Sequence, residues 1–213
     1  MSIKIGIVAW KTGENSIGIT SPYYDFFSQF GAVQSLYPNE EVHSDLNLLV
    51  LPGGADVNPL RYGQIPEIYT GNSDIFKESF DINKLPGYVA NKTPIFSICR
   101  GLQTLNVFFG GALIQNASHA FYSKERDELV HHVLPIRNGE VKGASFKVNS
   151  MHHQCIDPNK LGTGMNVILR SKTDDIIEGL AHAELPIAGV QFHPEETFCR
   201  YSTTIIERLL GIS

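Results

Sequence analysis

Cys99 stands between an apolar run, "PIFSI" (94–98), and a helix-like stretch, "RGLQTLNVFFGG". A nucleophile at the apex of a tight strand-to-helix turn needs small residues two before and two after it, because the backbone passes close on both sides. Ser97 and Gly101 fill those places. Such a turn aims the following N–H, that of Arg100, at the space above the sulfur. The free N–H groups of a starting helix also favour the thiolate. A thiol nucleophile requires a base, and the base requires a group that orients it. In "GVQFHPEE" His193 follows an apolar run and Pro194 stiffens the turn. Glu195, two residues on, can fold back to accept the imidazole N–H and fix its tautomer. In "LPGGADVNP" Gly53 and Gly54 end a third apolar run without side chains, so their N–H groups can approach a substrate. The N–H groups of Gly54 and Arg100 together make a candidate oxyanion hole, in which one donor contributes roughly 10²–10³ in rate. Each feature alone has an ordinary explanation: a core cysteine, a surface histidine, a tight turn. Their combination predicts acyl transfer.

The elements that would position these groups follow an α/β pattern. "IKIGIVAW" and "LNLLVLPGG" read as buried strands, and "SPYYDFFSQFG" as a helix that Ser21 caps and Gly31 ends. Residues 55–75, rich in Pro, Gly and Asn, read as a long loop. A polar helical stretch broken at Pro86 runs on to Lys92. The order predicts a mostly parallel central sheet flanked by helices, with active groups at the carboxyl ends of its strands. Beyond Gly111 the short runs "ALIQ", "LVHHVLPI", "ASFKVNS", "NVILRS", "IIEGLAH" and "PIAGVQF" predict an antiparallel extension of that sheet. A last helix carries Phe198, Tyr201, Ile205 and Leu209 at helical spacing. No repeat or linker divides the 213 residues, so residues 1–213 are expected to form one domain.

Composition narrows the partners. The net charge is −5 and the basic residues are scattered, which argues against nucleic acid or an anionic membrane surface. No apolar run approaches the ~18 residues of a membrane span, and "MSIKIGIVAW" does not resemble a signal peptide. Three widely spaced cysteines, Cys99, Cys155 and Cys199, are no disulfide framework, so a cytoplasmic, reducing setting is expected. Among His152, His153, Cys155, His182 and His193 no metal-ligand spacing occurs. The glycines of "GGADVNPLRYG" lack the Lys-Ser/Thr of a phosphate loop. Neither a metal nor a cofactor is expected.

"LPGG", "ICRGLQ", "VNSMHHQ" and "GVQFHPE", in this order, resemble the class I glutamine amidotransferase family. "LPGGADVNPLRYG" and "NSMHHQ" resemble its γ-glutamyl hydrolase-like branch, peptidase C26. The resemblance implies a flavodoxin-like fold, with Cys99 as nucleophile, His193 as base and Glu195 as orienting acid. It also implies oxyanion donors at Gly54 and Arg100. Gln103 would hold the glutamyl end of a substrate, and Ser150, Met151 and His152 its α-amino and α-carboxylate groups. His153 and Gln154 would be structural. Ser97 departs from the glycine of many amidotransferases but is small enough for the turn. The implied activity is hydrolysis of γ-glutamyl amides. The alternatives are a glutaminase subunit serving a separate synthase partner, or a silent relative used as a binding module. A homodimer is compatible with any of these. Residues 61–92 match less well, which leaves the leaving group open.

Overall fold

A computed structural model describes residues 2–14, 16–117 and 122–212. Its first part comprises β1 (Lys4–Val8), β2 (Trp10–Gly13), β3 (Ser16–Gly18), α1 (Ser21–Ser28), β4 (Ala32–Leu36) and β5 (Leu48–Leu51). Next come α2 (Ile75–Asn83), α3 (Leu85–Ala90), β6 (Ile95–Ile98), α4 (Arg100–Phe108) and β7 (Leu113–Ile114). There follow β8 (His131–Arg137), β9 (Glu140–Val141), β10 (Phe146–Val148), β11 (Cys155–Ile156), β12 (Met165–Ser171), β13 (Ile177–His182) and β14 (Ile187–Val190). Helices α5 (Pro194–Thr197) and α6 (Arg200–Leu210) close the chain.

A ten-stranded mixed sheet runs in the order β10-β8-β12-β13-β14-β6-β5-β1-β4, with β9 beside β8. From β14 to β4 every pairing is parallel; from β14 outward to β10 every pairing is antiparallel. The parallel strands are buried on both faces, which is why they read as continuous apolar runs. Side-chain alternation divides them between two cores. Leu49, Leu51 and Ile95 face Phe80 of α2, Leu85 and Tyr88 of α3, and Leu102 and Leu105 of α4. Leu48, Val50, Phe96 and Ile98 face Tyr23, Phe26 and Phe27 of α1, and Ile206 of α6.

Several local expectations change. The segment "AVQSL" forms edge strand β4, although its weak apolar pattern carries no strand signal; only Leu36 is buried. "ALIQ" does not join the extension: β7 pairs with β11 in a separate ribbon. The cap position of α1 is Thr20, without a side-chain bond, and Ser21 is its first residue. The loop after β5 holds a short 3₁₀ turn, Pro59–Tyr62. Phe198 lies outside α6 and is exposed, so Ser202 and Ile206 make the deepest contacts of that helix. Among the described residues no helix is long and apolar enough to cross a membrane.

Candidate active site

Strands β5, β6 and β14 are adjacent and parallel, so their carboxyl ends emerge on one edge of the sheet. β5 runs into Pro52-Gly53-Gly54, β6 into Cys99, and β14 through Gln191 and Phe192 into His193. Cys99 takes φ 51° and ψ −111°, a conformation costing a non-glycine residue on the order of 1–3 kcal/mol. The surroundings impose it. Cys99 N–H donates to Val190 O at 2.8 Å, and Leu102 N–H donates back to Cys99 O at 3.0 Å. The backbone at Gly101 lies so close to Leu51 O that any Cβ there would collide. Ser97 pairs in register with Gly189, whose missing side chain is the space its hydroxyl occupies. The departure at Ser97 is therefore matched on the neighbouring strand.

His193 Nδ1 lies 2.6 Å from Glu195 Oε1. A carboxylate only accepts, so Nδ1 carries the proton of this bond. Asn149 fixes the histidine backbone from both sides: its Oδ1 accepts from His193 N–H at 2.9 Å and its Nδ2 donates to His193 O at 3.2 Å. Cys99, His193 and Glu195 are all buried. Burial pushes the Cys99 thiol up, but the His193 charge beside it, then His152 and the Arg100 N–H, outweigh this and bring it below its ordinary value. Burial pushes His193 down, yet Glu195 and Cys99 raise it. The two shifts favour a thiolate–imidazolium pair. Cys155 has no such company, and burial drives its thiol up to about 12.

Gly53 N–H donates to the Tyr23 hydroxyl at 2.9 Å. Burial and the Glu195 charge hold that phenol well above its usual range. The Arg100 guanidinium points away from the chemistry and pairs with Asp81 Oδ2 at 2.7 Å, where Arg61 also binds at 3.2 Å. The role expected of Arg100 thus rests on its main chain, and its side chain fastens α4 to α2.

The thiol opens on a cavity of about 580 Å³ whose wall includes Trp10, Gly53, Gly54, Met151, Arg126 and Glu196. Of the expected substrate contacts, Gly53 and Met151 line it. Gln103, Ser150 and His152 are buried outside that lining. Gln103 donates to Gln154 O at 2.9 Å. Ser150 exchanges bonds with Ser123 through its N–H and C=O, both at 2.8 Å. His152 Nδ1 lies 3.0 Å from Gln154 O, and its Nε2 3.7 Å from Glu178. Glu178 is wholly buried; hydrogen bonds from His131 and His152 overcome that burial and hold its carboxyl at about 2. His153 and Gln154 pin the loop after Gly54, through Asp56 at 3.0 Å and Val57 N–H at 3.2 Å. Among the described residues no group of three or more His, Cys, Asp or Glu is arranged to hold a metal ion. Sequence reasoning missed Tyr23, Lys77, Arg126, Asn149 and Glu196 at this site. Asn149 and Glu196 adjoin recognised motifs; the other three are remote in the chain and carry no local signal.

The family profile described as Peptidase C26 matches residues 19–195. The glutamine amidotransferase-like protein YvdE of Lactococcus lactis is 31% identical over 191 residues, 83% of this chain and 80% of that protein. A Schizosaccharomyces pombe protein named as a glutamine amidotransferase is 32% identical over 197 residues, 84% of this chain and 77% of its own. The crystal structure of a GMP synthase subunit from Thermoplasma acidophilum superposes with a TM-score of 0.68 at 21% identity. That match covers 100% of this chain and 94% of the other. The class I glutamine amidotransferase fold and the family match over most of the sequence agree: this chain belongs to the peptidase C26 family.

Proposed function

We propose that the protein hydrolyses γ-glutamyl amide bonds through a γ-glutamyl thioester on Cys99, releasing glutamate. The observation that carries this reading is the buried Cys99 thiol beside a histidine whose Nδ1 is 2.6 Å from Glu195. The Cys99 thiolate adds to the γ-carbonyl, and the N–H groups of Gly54 and Arg100 receive the oxyanion. His193 gives its proton to the departing ammonia or amine as the C–N bond breaks. It then takes a proton from water, which attacks the thioester, and the thiolate leaves. Cysteine suits this path because one difficult amide cleavage becomes two easier steps.

The cavity wall adds a reading of the substrate head. Arg126 Nε and Glu196 Oε1 form an ion pair there, with Arg126 half exposed. A γ-glutamyl group carries an α-carboxylate and an α-ammonium, and such a pair can exchange its internal partners for these two charges. Arg126→Ala is expected to raise KM by about tenfold with kcat little changed, the pattern of lost ground-state binding. A fall in kcat at constant KM would remove Arg126 from this role.

The test of the activity is glutamate release by the purified protein, given glutamine, γ-glutamyl amines and γ-glutamyl peptides side by side. Turnover of a γ-glutamyl amine supports the reading. Turnover of glutamine alone would instead indicate a glutaminase subunit that supplies ammonia to a separate synthase. Silence with every substrate would point to a binding module.

A further inference from the structure

Lys77 is almost fully buried beside the site, yet no step above uses it. It lies in the first turn of α2, where the Asp74 side chain caps the helix by accepting from Phe76 N–H at 2.9 Å and Lys77 N–H at 3.3 Å. Its Nζ donates to Gly53 O and sits over the Trp10 ring, 4.4 Å from the centroid. The backbone at Gly54 rests on the same ammonium: a Cβ there would lie 2.5 Å from Nζ.

Gly53 O and Gly54 N–H belong to one peptide group, and in a trans peptide they point in opposite directions. A carbonyl drawn toward Lys77, away from the cavity, therefore turns the Gly54 N–H toward it. The preceding N–H, that of Gly53, is already given to Tyr23, so Gly54 is the donor this turn has to offer. Two adjacent glycines leave the peptide free to rotate. Rotated by half a turn, it would present a carbonyl oxygen to the oxyanion and repel it. We infer that Lys77 is a positioning residue: its ammonium fixes the Gly53–Gly54 peptide in the orientation that makes Gly54 an oxyanion donor, and polarises that N–H. The inference deepens the proposed hydrolysis and rests on it for its catalytic half only.

The ammonium is finely balanced. Desolvation and the Arg100 guanidinium of α4 lower the Lys77 pKa to about 7, against Asp74 and Asp81 of α2 and Cys99 of the elbow. The face of Trp10 from β2 completes the surroundings. The peptide can be watched directly, because Gly53–Gly54 and Gly110–Gly111 are the two Gly-Gly pairs of the sequence. Protein labelled with carbonyl-¹³C and amide-¹⁵N glycine gives one correlated signal for each. In the wild type, the Gly53 carbonyl and Gly54 amide shifts should move together with a midpoint near 7. Gly110–Gly111 should stay still.

Lys77→Met should abolish this step and displace the Gly53–Gly54 signal at low pH. Lys77→Gln, which keeps a neutral donor, should displace it less. If oxyanion stabilisation is weakened, Lys77→Met should lower kcat at least about tenfold and change KM little. Alkylation of Cys99 by iodoacetamide develops no oxyanion and should stay within about threefold of wild type. An unmoved Gly53–Gly54 signal in Lys77→Met overturns the inference, whatever the protein hydrolyses. Equal losses of turnover and alkylation also overturn it, since they mean general damage to the site. If the wild type cleaves no γ-glutamyl amide, the proposed function fails while the peptide signal still decides whether Lys77 orients Gly54.

Discussion

Cys99→Ala is expected to lower kcat/KM for γ-glutamyl amide hydrolysis by about 10⁴–10⁶-fold, the loss that follows removal of a nucleophile from a unit that acts together. Neither remaining cysteine can replace it. The Cys155 thiol is driven up to about 12, and Cys199 begins α6 outside the wall of the cavity. His193→Ala should cost nearly as much, and the double variant little more than either single one, because each change disables the same step. Steady-state rates of the three variants test this. The thiolate can be checked without substrate. His193 and the Arg100 N–H lower the Cys99 pKa, so alkylation should gain rate as pH rises through a midpoint below that of an ordinary thiol. In His193→Ala this midpoint should move up, since burial then acts with less opposition. An unchanged midpoint would show that the histidine does not support the thiolate.

Asp81→Asn should cost about 3–5 kcal/mol of stability, the usual penalty for leaving one member of a buried ion pair uncompensated. The Arg100 and Asp81 side chains are 3% and 2% exposed and 2.7 Å apart. Arg61, at 17% exposure, can turn to water; Arg100 cannot. At this chain length the loss corresponds to a fall of roughly 6–20 °C in Tm. Asp81→Asn combined with Arg100→Met should recover much of it, because no charge then remains stranded. Arg100→Met alone keeps the backbone N–H expected in the oxyanion hole. Thermal unfolding of the two single variants and the double one separates the pair from its neighbours. A loss under about 1 kcal/mol in Asp81→Asn would mean that water reaches the guanidinium and that the pair is of the weak, solvated kind.

The parallel half of the fold is legible because its strands are buried on both faces. "LLVL" and "IFSI" must therefore be apolar throughout, and each ends on residues small enough for a backbone to turn. β4 is not legible: an edge strand buries one face, and "AVQSL" commits only Leu36 fully. The hairpin of β2 and β3 is mostly exposed and leaves little apolar pattern to read.

The same division runs through the site. By itself the sequence determined which groups stand at strand ends, because short-range sterics tie Cys99 to its small neighbours and His193 to Glu195 two residues on. Only the tertiary structure decided what surrounds them. Tyr23, Lys77 and Arg126 come from segments with no motif, and Asn149 clamps a histidine 44 positions away. Gln103, Ser150 and His152 stand behind the cavity wall, because their hydrogen bonds to Gln154, Ser123 and Glu178 draw them inward. Spacing along a chain fixes contacts within a turn or two. Contacts between turns depend on how helices pack on the sheet, and that packing is set by the two cores as wholes.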